Sequence, residues 1–188
     1  MVVSDRLKYV YVAVPRTGSQ TLTRALVSAA HGRCVEPYHG WAKAADFPAD
    51  WCRFVVVRHP VARMLSWWWF SCAMRTGLEG VTFGRYVEMV REWRDSGADY
   101  EVPELYMLQS QWQDRAKADY ALQYEQMPGA LSVLPFDTEA IARFWLANKS
   151  HATPHTRATR DRLTRDEWRA VVDLERPDFE RYGYQQEY

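Results

Sequence analysis

The chain has 188 residues, enough for one domain with a sizeable hydrophobic core. Basic and acidic residues number 24 each, and this balance argues against non-specific nucleic-acid binding, which needs a basic surface. The three cysteines include no Cys-x-x-Cys pair, which argues against a disulfide framework. The N-terminus is too short and charged for a signal peptide, and no apolar run reaches the length of about 20 residues that a membrane helix needs. These features predict a cytoplasmic protein.

The first half of the chain alternates buried strands with amphipathic helices. Two short apolar runs, residues 9–14 and 54–57, predict parallel strands, the second over residues 53–57. The spacing of apolar residues predicts helices over residues 21–30, 60–74 and 82–95. Thr82 is the predicted N-cap of the third helix. Residues 34–50 contain two prolines and a glycine, and we predict a loop there with at most one helical turn.

The second half continues the alternation. Helices are predicted over residues 103–113, 137–147 and 164–174, and strands over residues 119–124 and 131–134. Thr164 and Glu167 fit a capping box at the start of the last helix, and Pro177 breaks it. Strands that alternate with helices predict an α/β fold with a mostly parallel sheet, in a single domain over residues 1–188.

The turn after the first strand has the composition of an anion-binding loop. Residues 15–21 read Pro-Arg-Thr-Gly-Ser-Gln-Thr. Gly18 permits a close approach of the backbone to a phosphate, and Arg16 adds a planar cation. Donor hydroxyls come from Thr17, Ser19 and Thr21. The loop lacks the second glycine and the lysine of a Walker A sequence, which argues against an ATPase or kinase. An ordinary polar turn with a helix cap is the alternative.

The turn after the second strand repeats this pattern. Arg58 closes the strand, and Ser66 lies two helical turns into the following helix. Arg63 shares a helix face with Ser66, three residues away. Arg58 and Ser66 are therefore predicted to hold one phosphate with Arg63 nearby; the alternative is a surface arginine and a helix serine without a role. Ligands bind at the carboxyl ends of parallel strands, so the two turns predict a ligand with two separated anionic groups.

Together the two turns resemble the nucleotide-binding motifs of sulfotransferases that use 3′-phosphoadenylyl sulfate (PAPS). Residues 15–21 are similar to their 5′-phosphosulfate loop. Residues 58–66, Arg-His-Pro-Val-Ala-Arg-Met-Leu-Ser, match their 3′-phosphate motif Arg-x-Pro-x-x-Arg-x-x-Ser in full. Later segments resemble the family in the same order, at residues 119–125 and 148–150, and residues 178–184 resemble the closing segment common in its Golgi-type and bacterial branch. The resemblance therefore spans almost the whole chain.

The resemblance implies a fold and a reaction. The fold is a three-layer α/β sandwich of the P-loop NTPase-like type, with a mostly parallel central sheet. The reaction is transfer of a sulfuryl group from PAPS to a hydroxyl or amine of a glycan, small molecule or exposed side chain, with 3′-phosphoadenosine 5′-phosphate (PAP) as product. No metal is required, because the protein's own cations and N–H groups supply the positive charge.

The resemblance also implies roles for individual residues. Arg16 would stabilise the charge on the leaving bridging oxygen, and Arg58 and Ser66 would bind the 3′-phosphate. The donor's 5′-phosphosulfate would contact Arg16, Thr17, Gly18, Ser19, Gln20 and Thr21.

The acceptor needs a general base, and two candidates lie between the two turns. His39 has a setting similar to that of the catalytic histidine in uronyl 2-O-sulfotransferases, and a histidine suits proton transfer near neutral pH. Glu36 has a setting that resembles the acidic base of the tyrosylprotein branch. His39 is favoured over Glu36, with Glu125 as a further alternative and a loop histidine without a role as the other interpretation.

Two other functions fit parts of the sequence. A nucleotide or small-molecule kinase of the same architecture would need ATP and Mg²⁺. A nucleotide-binding module without catalysis would bind PAP or PAPS only. The sequence implies no nucleic-acid or membrane partner.

Overall fold

A computed structural model of the chain describes residues 1–36, 40, 42–74, 78–96, 106–148 and 163–188. Its packing divides the chain into two compact units. The first comprises Met1–Arg58 and Gln109–His151, and the second comprises His59–Leu108 and Ala152–Tyr188. The single domain predicted for residues 1–188 stays a prediction.

The described residues contain both strands and helices. The strands are β1 (Val2–Ser4), β2 (Tyr9–Val12), β3 (Arg33–Cys34), β4 (Cys52–Val57) and β5 (Tyr120–Gln123). The α-helices are α1 (Ser19–Ala29), α2 (Pro60–Ala73), α3 (Phe83–Asp95), α4 (Gln109–Ala116), α5 (Glu139–Asn148), α6 (Arg165–Leu174) and α7 (Arg176–Tyr182). Short 3₁₀-helices occupy Ala42–Asp46, Tyr124–Gln126 and Gly129–Val133.

The first unit is built on a mixed sheet with the strand order β3-β1-β2-β4-β5. β4 lies parallel to both β2 and β5. β1 lies antiparallel to both β2 and β3. The sheet is therefore mixed rather than mostly parallel, which corrects the sequence prediction. β1 and β3 are responsible for the difference, and at three and two residues they are too short to show a periodic apolar pattern.

The core of the first unit joins this sheet to α1 and α5. Every residue of β2 and β4 is buried, as expected of strands that are covered on both faces. Tyr9 and Phe54 lie on one face of the sheet and pack with Leu22 and Leu26 of α1, which form the apolar stripe predicted for that helix. α1 also packs along α5.

The second unit is helical in its described part. α2, α3, α6 and α7 surround a core that includes Trp67, Phe83, Val87, Trp168 and Phe179. None of the helices in the described parts of the chain has the length and apolar character needed to cross a membrane.

Helices with clear capping signals lie close to their predicted positions. The Thr82 side chain accepts a hydrogen bond from the N–H of Arg85. Thr164 and Glu167 form the predicted capping box at the start of α6. The helix predictions hold here because apolar residues repeat at helical spacing over several turns and because these caps are local signals.

Two of the predicted elements differ from the structure. Residues 131–134 were expected to form a strand, but they lie mostly in a 3₁₀-helix. Leu131 and Leu134 are buried three residues apart while Val133 is exposed, so the apolar period is three and not two. α4 begins at Gln109, six residues later than predicted. The carbonyls of Tyr106 and Met107 accept hydrogen bonds from arginine side chains before that helix starts.

Candidate functional site

Three parallel strands of the first unit end at one edge of the sheet, and the candidate site lies there. β4 is the central strand, with β2 and β5 paired on either side of it. The carboxyl ends of such strands share an edge, which is where α/β proteins bind ligands. The loop of Arg16, the side chain of Arg58 and the ring of Tyr124 follow these three ends.

The loop after β2 has an unusual backbone. Arg16 and Gly18 both adopt the left-handed conformation, with φ values of 66° and 78°. Thr17 lies between them, is fully buried and donates its hydroxyl to the carbonyl of Val14 at 2.8 Å. This hydroxyl therefore stabilises the turn. The ligand contact expected for Thr17 stays a prediction.

The loop leads directly into the N-terminus of α1. Gly18 is the N-cap and, as a glycine, has no side chain with which to cap this helix. Ser19 is largely buried, Gln20 is exposed and Thr21 is half-buried. The first N–H groups of a helix lack intrahelical partners and carry the positive end of its dipole. This end of α1 is therefore suited to an anion.

Gly18 rests on two aromatic rings of the same unit. Tyr124 and Trp145 pack edge to face, with ring centroids 5.6 Å apart. A Cβ atom built on Gly18 would lie 2.7 Å from Cε2 of Tyr124 and 2.8 Å from Cη2 of Trp145. A side chain does not fit in this space, so the position requires glycine for its close packing as well as for its positive φ.

We expect Gly18→Ala to lower the free energy of unfolding by about 2–4 kcal/mol, as the sum of left-handed strain and overpacking. Gly80→Ala is the matched control, because Gly80 also has a positive φ of 80° but no described atom lies within 4 Å of its added Cβ. The control should lose only about 1–2 kcal/mol. Urea unfolding measures both, and equal losses would show that the aromatic rings do not confine Gly18.

Arg58 is held at several points within the first unit. The amide of Gln109 bonds both backbone groups of Arg58, at 2.7 and 2.8 Å. The guanidinium of Arg58 donates to the carbonyl of Arg16 at 3.2 Å. It also lies over the ring of Tyr124, 4.9 Å from the centroid. The structure thus brings together the two arginines that the sequence places 42 residues apart.

The electrostatics of this edge favour an anion. Arg16 is half-buried, and burial together with the nearby charge of Arg58 lowers its pKa from the ordinary value. An arginine nevertheless stays protonated in proteins. Two like charges held close together repel each other, and an anion placed between them would relieve that repulsion.

The remaining motif residues belong to the second unit. Ser66 is buried in α2. Arg63 is also buried, donates to the carbonyl of Met107 at 3.0 Å and lies 3.9 Å from the carboxylate of Glu175, which Arg94 contacts at 2.6 Å. Arg63 therefore has a structural role inside this unit. The expectation that Arg63 lies near a bound phosphate stays a prediction.

The segment at residues 178–184 packs around His59, the second residue of the same motif. The His59 ring lies 5.4 Å from Phe179 and 5.2 Å from Tyr184, measured between centroids, with Trp168 also in contact. Within the second unit this closing segment therefore supports the start of α2.

The structure describes two of the three candidate bases. His39 lies outside the described residues. Glu36 is half-buried, and its Oε2 atom has no hydrogen-bond partner among the described residues. A Cβ on Gly40 would lie 2.7 Å from Cδ of Glu36, so the carboxyl group packs against that glycine. Glu125 is exposed in the 3₁₀-helix that follows β5.

Sequence reasoning missed the residues that support the two arginines. Gln109 was assigned only to a helix, Trp145 was not singled out, and Tyr124 was noted only as part of a family-like segment. The one signal for Gln109 is a polar residue directly after the apolar pair Met107 and Leu108. No group of three or more His, Cys, Asp or Glu side chains placed to hold a metal occurs in the part of the chain that the structure describes.

Comparison with known proteins identifies the family of the chain. Searches of curated proteins and of solved structures gave no match. A family model described as "Sulfotransferase family" matches residues 1–185 and so includes both turns, β5 and the closing helices. With nearly its full length matched, the chain belongs to the sulfotransferase family.

Proposed function

We propose that the protein transfers a sulfuryl group from PAPS to a hydroxyl or amine of an acceptor. The observation that carries this proposal is the 3.2 Å contact between the guanidinium of Arg58 and the carbonyl of Arg16. This contact joins the two turns. The first turn resembles a 5′-phosphosulfate loop, and the second resembles a 3′-phosphate motif. Two cations beside the N-terminus of α1 fit a ligand with two separated anionic groups, such as the 5′-phosphosulfate and the 3′-phosphate of PAPS.

Each turn has its own part in this proposal. The N–H groups at the start of α1 bind the 5′-phosphosulfate, together with Ser19 and Thr21. Arg58 and Ser66 bind the 3′-phosphate, which distinguishes the donor from ATP-like nucleotides. A charge-assisted hydrogen bond from an arginine is about twice as strong as a neutral one, so Arg58 supplies much of the recognition.

The transfer step follows from the charges involved. The acceptor oxygen or nitrogen attacks sulfur, and the bond between sulfur and the bridging oxygen of the phosphosulfate breaks. PAP leaves with the bonding electron pair, so negative charge develops on the bridging oxygen. Arg16 stabilises this charge more strongly in the transition state than in the ground state, and that difference accelerates the reaction.

The acceptor proton passes to a base of the protein. Both candidates, His39 and Glu36, lie in the segment between the two turns. His39 is our first choice, because a histidine suits proton transfer near neutral pH, and Glu36 is the second. A glycan, a small molecule or an exposed side chain could supply the hydroxyl or amine. Metal ions have no assigned role, since Arg16, Arg58 and the helix N-terminus already provide positive charge.

Calorimetric titration with PAP and with ATP plus Mg²⁺ tests the donor. We expect the wild-type protein to bind PAP and to bind ATP much more weakly. Arg58→Ala should weaken PAP binding by about 10- to 100-fold, since hydrogen bonds to charged groups contribute about 1.5–3 kcal/mol. Arg143→Ala is the control, because Arg143 is an exposed arginine of the same unit that pairs with Glu139 at 2.8 Å. It should bind PAP like the wild type.

The other outcomes separate the alternatives. Tight binding of ATP with Mg²⁺ but not of PAP would contradict the proposal and support a kinase. Binding of PAP without conversion of PAPS in the presence of any alcohol, phenol or amine tested would support a binding module without catalysis.

A further inference from the structure

Gln109 is a buried polar residue with an unusual pair of partners. It is the first residue of α4 and is fully buried. Its Nε2 donates to the carbonyl of Arg58 at 2.8 Å, and its Oε1 accepts from the N–H of Arg58 at 2.7 Å. One side-chain amide thus bonds both polar groups of one backbone residue.

The position of Arg58 explains why this pair of bonds matters. β4 ends at Val57, whose partner Gln123 is the last in the β4–β5 ladder. The backbone of Arg58 is therefore the first beyond the sheet. Gln109 bonds it as a neighbouring strand would, with one donor and one acceptor. A buried backbone group without such a partner is costly, so these bonds fix the residue.

The far end of the same side chain is also fixed. The guanidinium of Arg58 contacts the carbonyl of Arg16 at 3.2 Å and stacks over Tyr124 at 4.9 Å. Because Gln109 holds the backbone of Arg58 while Arg16 and Tyr124 contact its guanidinium, both ends of the side chain are held. A cation held in this way loses little conformational freedom when it binds an anion.

We propose that Gln109 is a positioning residue that fixes Arg58 for the 3′-phosphate of the donor. This inference rests on the function proposed above, in which Arg58 binds that phosphate. Gln109 itself touches no ligand in this proposal, and it acts only through the backbone of Arg58.

Gln109→Met tests the inference, because methionine has a similar volume but cannot donate to the Arg58 carbonyl and is only a weak acceptor for its N–H. Calorimetry with PAP and with adenosine 5′-monophosphate, which lacks the 3′-phosphate, is the readout. We expect about 10-fold weaker binding of PAP and a change of less than about twofold for the monophosphate. Gln111→Met is the control, because Gln111 is exposed on the same helix, and it should bind both nucleotides like the wild type.

A double-mutant cycle separates positioning from a general loss of structure. In the Arg58→Ala background, Gln109→Met should cause no further loss of PAP affinity, because its effect passes through the missing side chain. Equal losses for both nucleotides, or an undiminished loss in that background, would overturn the inference. If Gln109→Met does not fold, Gln109→Asn, which keeps the amide on a shorter side chain, gives the same comparison. Absence of PAP binding in the wild-type protein would instead refute the proposed function.

Discussion

Arg16→Ala should lower the turnover of PAPS by about two to three orders of magnitude, the loss typical of removing one group that stabilises transition-state charge. Turnover is measured as conversion of PAPS to PAP at saturating donor, with the best acceptor from a panel of alcohols, phenols and amines. The Arg16 carbonyl, which accepts from Arg58, is retained in the alanine variant. Both residues carry a Cβ, so the left-handed strain at this position is also unchanged.

The pattern of kinetic constants distinguishes catalysis from binding. If Arg16 acts on the leaving oxygen, kcat and kcat/KM should fall by similar factors while PAP affinity changes far less. Arg16→Lys should recover part of the rate, since it restores the charge without the planar fork. An increase in KM with kcat unchanged would contradict the role, because it would mean that Arg16 binds ground state and transition state equally.

Lys8→Ala is a matched control for this experiment. Lys8 is also a cation with a positive φ, 52°, but it lies exposed between β1 and β2. Its replacement removes the same charge from a similar backbone, away from the candidate site. Turnover should remain that of the wild type, and a comparable loss there would point to a general effect of charge or stability.

The residues that sequence reasoning placed correctly are those whose partners are close in the chain. The hydroxyls of Thr82 and Thr164 each accept a hydrogen bond from an N–H three residues later, and such local signals can be read directly from the sequence. The two basic turns are equally local, because each strand, turn and helix is contiguous. Their meeting could be predicted only from the general rule that parallel strands end at a shared edge.

The residues that were missed act across long distances in sequence. Gln109 bonds a residue 51 positions earlier, and Trp145 lies against Gly18 only because α5 packs on α1. The contact of Arg63 with Glu175, 112 positions later and buried with it, is of the same long-range kind. Helical spacing puts Arg63 and Ser66 on one side of α2, but it does not decide whether that side meets a ligand or a core.

Replacement of the base is the second change with a large expected effect. His39→Ala should lower turnover of an alcohol acceptor by about 10²- to 10⁴-fold, with PAP affinity intact, because general-base catalysis contributes about that much.

An acceptor that is already ionised removes the need for a base. For an acidic phenol that is ionised at the assay pH, His39→Ala should therefore retain most of the wild-type rate. Glu36→Gln is the companion variant, because Glu36 is the other candidate and amide replaces carboxylate at almost constant volume. Suppose that Glu36→Gln greatly lowers turnover of alcohols but not of the ionised phenol, while His39→Ala remains active with both. Glu36 is then the base. A general defect would slow both acceptors alike, so the ratio of the two rates identifies the proton acceptor independently of stability.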